Sequence, residues 1–217
     1  MSGKLAYYGR GVDPALASRY WRLLGLPAGS RALDVGCGTG KLGAAAPAGL
    51  EVHGVDHDPG AVAKAQAHEK AQVVDLERGV LPYPDGYFAA AIAKDVLEHV
   101  ERPTHILSEI KRVLAPGGRL LVSVPMEFPW VVWNDYTHVR GFTQRALTTM
   151  LADLGFTDLK VWGMGAVPGA GRLGLVDRVP KLLEMPLMRP LFGRSWEALA
   201  TRAATEGRPY GTSTNEP

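Results

Sequence analysis

Asp34-Val35-Gly36-Cys37-Gly38-Thr39-Gly40 sets three glycines at alternate positions, the first two residues after an acid. Where a strand turns into a helix, glycine permits positive φ and lets a ligand lie against the backbone. The helix that follows offers unpaired N–H groups to a carboxylate or phosphate. The segment reads as a ligand cradle, with a plain tight turn as the alternative. A nicotinamide dinucleotide is disfavoured, because Lys41 stands where G-x-G-x-x-G needs its last glycine. A second stretch, residues 130–143, mixes Trp130, Trp133, Tyr136 and Phe142 with Asp135, His138 and Arg140. His138 can take a proton from a hydroxyl, Asp135 can orient it, and Arg140 can hold an anionic group. The alternative is that His138 and Arg140 only pin this loop to the next helix. A third set, Asp95-x-x-Glu98-His99, could hold a divalent cation together with His138.

These groups need a frame, and helix and strand alternate from residue 13 onwards. Asp13-Pro14 starts a helix over Ala15–Gly25, with Leu16, Tyr20, Leu23 and Leu24 on one face. Strands follow at Ala32–Val35, Glu51–Val55 and Gln72–Val74, with helices over residues 41–48 and from Asp58-Pro59 to about Glu69. Tyr87–Ala93 is a nearly all-apolar strand, as suits one buried on both sheet faces. A helix over Thr104–Leu114 is stopped by Pro116-Gly117-Gly118 and leads into a strand at Arg119–Val124. Thr143 caps a helix to Leu154, closed by Gly155, and Thr157–Trp162 is a sixth strand. This alternation predicts an α/β fold, a doubly wound and mostly parallel sheet with helices on both faces. Such sheets bind ligands at the carboxyl ends of their strands, just after Val35, Val55, Val74, Ala93 and Val124.

The spacing acid-x-G-x-G-x-G resembles motif I of the class I S-adenosylmethionine-dependent methyltransferases. Other segments in the same order are similar to that family. Asp56 ends the second strand 16 residues after Gly40, Asp75-Leu76 follows the third, and Ala93–Val100 follows the fourth. Leu114-Ala115-Pro116-Gly117-Gly118-Arg119-Leu120 looks like the family's turn into strand five. The likeness spans about residues 30–160 and is greatest to the small type 11 branch, which includes quinone-biosynthesis methylases. It implies a Rossmann-like fold, S-adenosylmethionine as the methyl donor and S-adenosylhomocysteine as product. Asp34, Gly36, Gly38 and Gly40 would hold the methionine part, with Cys37 as a packing residue of the loop. Asp56 would take the ribose hydroxyls with His57 beside it, Asp75 and Leu76 would face the adenine, and Lys94 would join the cofactor set. His138 and Asp135 are then the catalytic candidates, and His99, Trp133, Tyr136 and Arg140 the acceptor-side ones. A similar E-x-x-E-H pattern ligates magnesium in some relatives. Here Asp95 shortens that arm, so no metal is expected, Glu98 opening the next helix and His99 lining the cofactor pocket instead.

Composition narrows the acceptor. A net charge of +2, from 24 basic and 22 acidic residues, lacks the basic excess of a nucleic-acid wrapper. A small or lipid-like acceptor methylated at oxygen is expected, with a metal-assisted RNA 2′-O-methylase and a non-catalytic cofactor-binding partner as alternatives. The single cysteine excludes an internal disulfide framework. No apolar run reaches membrane-span length and the first residues form no signal core, so a cytoplasmic protein is expected. The expected organisation is a cofactor-binding core with an N-terminal helix over residues 1–165. A helical cap over 166–206 and a disordered tail over 207–217 follow. Tyr7-Tyr8-Gly9-Arg10 either closes over the cofactor or frays. Residues 172–194 carry five basic and two acidic side chains and an amphipathic face (Leu175, Val176, Val179, Leu182, Leu183). That segment can pack on the sheet, meet a partner subunit or touch a membrane surface. The family's seventh, antiparallel strand is either weak, around Gly163–Val167, or missing. Oligomeric state is open.

Overall fold

A computed structural model of the chain describes residues 12–165 and 193–204. The chain runs α1 (Pro14–Leu24), β1 (Arg31–Val35), α2 (Lys41–Ala44), β2 (Glu51–Asp56), α3 (Pro59–Ala65), β3 (Lys70–Val73) and β4 (Phe88–Lys94). It continues through α4 (Pro103–Val113), β5 (Leu114–Pro125), α5 (Pro129–Val132), α6 (Gln144–Asp153), β6 (Phe156–Gly165) and β7 (Gly193–Arg202). The strands form one sheet in the order β3-β2-β1-β4-β5-β7-β6. β1 to β5 are parallel, and β7 is antiparallel to both β5 and β6. This is the doubly wound α/β fold that the alternation predicts.

Local chemistry sets the helix starts. Asp13 accepts from the Ala15 and Leu16 amides, Asp58 from Ala61 and Thr143 from Ala146, so all three expected N-caps form. α1 ends on Gly25, whose left-handed backbone donates to the Trp21 carbonyl. α2 and α3 are shorter than expected, four and seven residues. Pro47 disfavours helical geometry at Ala46, and a run of short-range turns replaces the last expected turn of α3.

Alternate strand residues feed two cores. Ala32, Val52, Ala90, Ile92 and Leu121 face one side, where Ala17, Tyr20, Trp21 and Leu24 of α1 cover them. Leu33, Val35, Val55, Ala91, Ala93, Leu120, Val122 and Val124 face the other, against Ile106, Leu107 and Ile110 of α4 and Leu147 and Leu151 of α6. The bend in chain direction at Gly36 therefore leaves the glycine segment at the carboxyl edge of a sheet walled on both sides.

Two expectations are corrected at the carboxyl-terminal side. The seventh strand is not at Gly163–Val167: Gly163–Gly165 end β6, and the strand is Gly193–Arg202. The helical cap expected over 166–206 is thus an extended strand over Gly193–Arg202, pairing with β5 and β6. Residues 166–192, the Tyr7–Arg10 segment and the 207–217 tail lie outside the described residues. Among the described residues, no helix is long and apolar enough to cross a membrane.

Candidate functional site

The site is built from the loops after β1, β2, β4 and β5. Gly36, Gly38 and Gly40 all have left-handed backbone, φ 70°, 52° and 78°. At Gly36 the need for glycine is also steric: a Cβ there would lie 2.3 Å from Val96 Cγ2. At Gly40 it would lie 2.8 Å from the Ala65 Cα. The loop is thus pressed between α3 and the segment after β4, with no room for side chains at Gly36 and Gly40. Cys37 is buried with Val62, Ala65 and Ala71, and burial pushes its thiol well above the usual range, so it packs and does not attack.

Asp34, on β1, is 1% exposed, and neither carboxylate oxygen has a hydrogen-bond partner among the described residues. Burial and the nearby Glu69 and Asp56 hold its carboxyl well above the ordinary value, while Lys94 opposes this. A buried acid without a partner is costly unless a cation or donor meets it. Asp56 closes β2 and ties the loop down: Oδ2 accepts from the Gly38 amide at 2.9 Å, Oδ1 from Asp58 at 2.9 Å. His57 is exposed, with Nδ1 3.3 Å from Asp56 Oδ1. Asp75 caps its own turn by accepting from the Glu77 and Arg78 amides, and Leu76 is buried in the main core. Lys94 pairs with Asp95, whose left-handed φ of 53° aspartate tolerates better than most residues.

The stretch after β5 folds back onto the stretch after β4. The Val139 amide donates to the Glu98 carbonyl at 2.8 Å, and Arg140 Nη2 donates to the Glu101 carbonyl at 2.8 Å. Arg140 therefore pins the loop by its guanidinium. His99 and His138 stand edge to face with ring centroids 4.7 Å apart. His138 Nδ1 donates to the Val132 carbonyl at 2.7 Å, which places its lone pair on Nε2, 4.0 Å from Glu98 Oε1. Glu98 is 1% exposed, and burial with the nearby Asp95 raises its carboxyl well above the usual range. One atom each from Glu98, His99 and His138 lies within 4.8 Å of the others, a spacing that could admit one cation.

The expectation that Asp135 orients His138 is corrected. Asp135 Oδ1 accepts from the Thr137 amide at 2.9 Å and from Thr137 Oγ1 at 2.6 Å, and Thr137 Oγ1 is 3.1 Å from His99 Nδ1. The acid thus serves His99 through a hydroxyl. Trp130, Trp133 and Tyr136 are exposed at 56%, 61% and 95% around this loop. Phe142 is buried in the core.

Four residues of the site were not singled out by the sequence. Thr137 sits inside a segment read for His138, and its signal was the Asp-x-Thr spacing, which favours a side-chain turn. Val96 and Glu69 carry no motif: Glu69 is 8% exposed, and its oxygens lie 2.7 Å from where Cβ atoms would stand on Gly43 and Gly54. Glu197, on β7, accepts from Arg19 at 2.7 Å, Tyr20 at 2.7 Å and Trp162 at 2.8 Å, joining α1 to β6.

Comparison with known proteins places this arrangement. Residues 8–161 match the methyltransferase-domain family. A Mycobacterium tuberculosis protein named a probable S-adenosylmethionine-dependent methyltransferase is 30% identical over 173 residues, 76% of this chain and 62% of that protein. The ubiquinone biosynthesis O-methyltransferase of Xanthomonas axonopodis pv. citri is 38% identical over 104 residues, 45% of this chain and 44% of that enzyme. The chain thus spans less than two thirds of either relative. The crystal structure of an S-adenosylmethionine-dependent methyltransferase from Archaeoglobus fulgidus shares the fold, with a TM-score of 0.69 at 22% identity over 88% of this chain and 95% of that one. The residues present fit S-adenosylmethionine: Asp34 is a buried acid with no hydrogen-bond partner among the described residues, beside a glycine loop that admits no Cβ at Gly36 or Gly40. The chain belongs to the class I S-adenosylmethionine-dependent methyltransferases, of the type 11 kind.

Proposed function

We propose that the protein transfers the methyl group of S-adenosylmethionine to an oxygen of a small, lipid-like acceptor, and does so in the cytoplasm. The observation that carries the choice of oxygen is the histidine pair beside the cofactor loop. A hydroxyl acceptor must lose a proton, and a neutral imidazole is the side chain best suited to take it near neutral pH. The relative named for ubiquinone biosynthesis and for O-methylation supports the same acceptor class. The exposed Trp130, Trp133 and Tyr136 supply an apolar approach to the loop, and a net charge of +2 lacks the basic excess that RNA binding favours.

S-adenosylmethionine brings a methyl group already activated on a sulfonium, so orientation and exclusion of water account for most of the rate. Asp34 and the backbone of Gly36, Cys37, Gly38 and Gly40 hold the methionine portion, the buried carboxylate meeting its ammonium. Asp56 fixes the loop through Gly38 and would take the ribose hydroxyls, with His57 at the rim. Asp75 and Leu76 would face the adenine, and Lys94 would join the cofactor set. His99 and His138 form the proton-accepting side, with Trp133 and Tyr136 on the acceptor and Arg140 holding their loop in place. No metal enters this scheme.

Methyl-labelled S-adenosylmethionine incubated with the protein and fractionated cell extract tests the proposal. Label is expected in the lipid-soluble fraction, in an alkali-stable ether. Label in RNA would replace the acceptor class, and label in no fraction despite cofactor binding would favour a non-catalytic role.

A further inference from the structure

Resting on the base-assisted transfer proposed above, we propose that Thr137, backed by Asp135, is a positioning residue that fixes His99 as its Nδ1–H tautomer and so makes His99 Nε2 the atom that takes the acceptor's proton.

The assignment follows from counting protons. Asp135 is an ionised acid with only acceptor capacity, and its carboxyl is held below the usual range by its bonds to Thr137 and by the two histidines, which outweigh its partial burial. Its Oδ1 receives Thr137 Oγ1 at 2.6 Å. A hydroxyl has one proton, and Thr137 commits it to Asp135. Toward His99 Nδ1, 3.1 Å away, the same oxygen can only accept. The ring must therefore carry hydrogen on Nδ1, and a neutral imidazole then has its basic lone pair on Nε2. Burial and the neighbouring His138 keep His99 below the ordinary histidine value, which favours that neutral ring.

The two histidines are then unequal. Each carries hydrogen on Nδ1, but His138 donates it to the neutral Val132 carbonyl and faces buried Glu98 with Nε2. Only His99 has an ionised carboxylate relayed to its Nδ1. It is also coupled to the cofactor loop: its amide donates to the Val96 carbonyl at 3.0 Å, and Val96 is the side chain that crowds Gly36. In the transfer, the acceptor oxygen forms its bond to the methyl carbon while the carbon–sulfur bond breaks and the sulfonium becomes a neutral thioether. The hydroxyl proton passes to His99 Nε2, and Asp135 stabilises the resulting imidazolium through Thr137. This reassigns the base from His138, with Asp135 acting on its neighbour.

The test uses the full chain labelled with nitrogen-15 at histidine, His99 being identified by its loss in His99→Gln. Long-range proton–nitrogen correlation is expected to show His99 protonated at Nδ1 in the wild type and in Thr137→Ser, and a mixture or the Nε2–H form in Thr137→Val. An Nε2–H ring in the wild type, or a tautomer unchanged in Thr137→Val, would overturn the proposal. With the lipid-soluble fraction as acceptor, Thr137→Val is expected to lower kcat by roughly 10- to 100-fold, below the full range for an acid–base group. The KM for S-adenosylmethionine should stay unchanged, and Thr137→Ser should keep near-wild-type kcat. Equal losses in the Ser and Val variants, or a loss confined to KM, would show a merely structural role. Asp135→Asn, which keeps the acceptor oxygen but not the charge, is expected to retain the tautomer and lose rate. The tautomer measurement needs no turnover, so failure of the relay and failure of methyl transfer are read separately.

Discussion

Gly36→Ala tests whether the cofactor loop is shaped by sterics, because a second substitution should relieve much of the damage. The native φ of 70° is left-handed, which costs a residue with a Cβ about 1–2 kcal/mol. The new Cβ would also stand 2.3 Å from Val96 Cγ2, and Val96 is 5% exposed in the main core. Overpacking of that kind costs about 1–3 kcal/mol. A total of about 2–5 kcal/mol is within the stability of an ordinary domain, so the protein still folds while the loop moves off Val96. If the strain appears in the binding equilibrium, affinity for S-adenosylmethionine falls roughly 30-fold to several thousand-fold. Val96→Ala removes the clashing methyl groups, and the remaining Cβ of residue 96 lies 3.6 Å from the added one, an ordinary contact. The double variant should therefore recover about 1–3 kcal/mol, leaving the backbone part. Calorimetric titration and denaturant unfolding of the four proteins measure this. Effects that add to within about 0.5 kcal/mol, or wild-type affinity in Gly36→Ala alone, would refute the reasoning.

Three other outcomes are expected. Neither oxygen of buried Glu69 has a hydrogen-bond partner among the described residues, and burial, opposed by the Cys37 thiol, pushes its carboxyl up from 4.5 to about 7. The folded state thus holds this proton more tightly than the unfolded one, and stability declines as pH rises from about 4.5 through 7, by about 3 kcal/mol at about 1.4 kcal/mol per unit. Glu69→Gln should remove that slope and be the more stable protein at pH 8; an equal difference at pH 5 and pH 8 contradicts it. Asp34→Asn should weaken S-adenosylmethionine binding at least about 10-fold in calorimetry, the size of one charge-assisted bond, and unchanged affinity would remove Asp34 from the site. Methyl transfer should persist in excess chelator, since the proposed transfer uses no metal; loss restored by a divalent ion would put a cation among Glu98, His99 and His138.

The fold was legible where local chemistry and burial agree. Asp13, Asp58 and Thr143 cap the helices at which their types place them, and the apolar run of β4 lies between two covered faces. β7 was missed because Trp196-Glu197-Ala198-Leu199-Ala200 is rich in helix formers. Pairing on both sides makes it a strand, with Trp196, Ala198 and Ala200 alternating into the core. At the candidate site, the left-handed glycines after β1 were legible because they form a local turn. The partners of Asp135 were not, since His99 lies 38 residues before Thr137 in sequence and meets it only after β5 returns beside β4. Glu69 and Glu197 look like surface acids until the sheet closes over them.

The order of the sheet has a consequence for how the protein comes into being. β7 is the last strand among the described residues, yet it lies inside the sheet, between β5 and β6. Until residue 202 has left the ribosome, β5 shows an open edge and β6 has no partner. Such unpaired edges are templates for pairing with other chains. Truncation ahead of Gly193 would therefore yield no smaller working enzyme but an unfinished sheet prone to association, with Arg19, Tyr20 and Trp162 stripped of the carboxylate that binds them together.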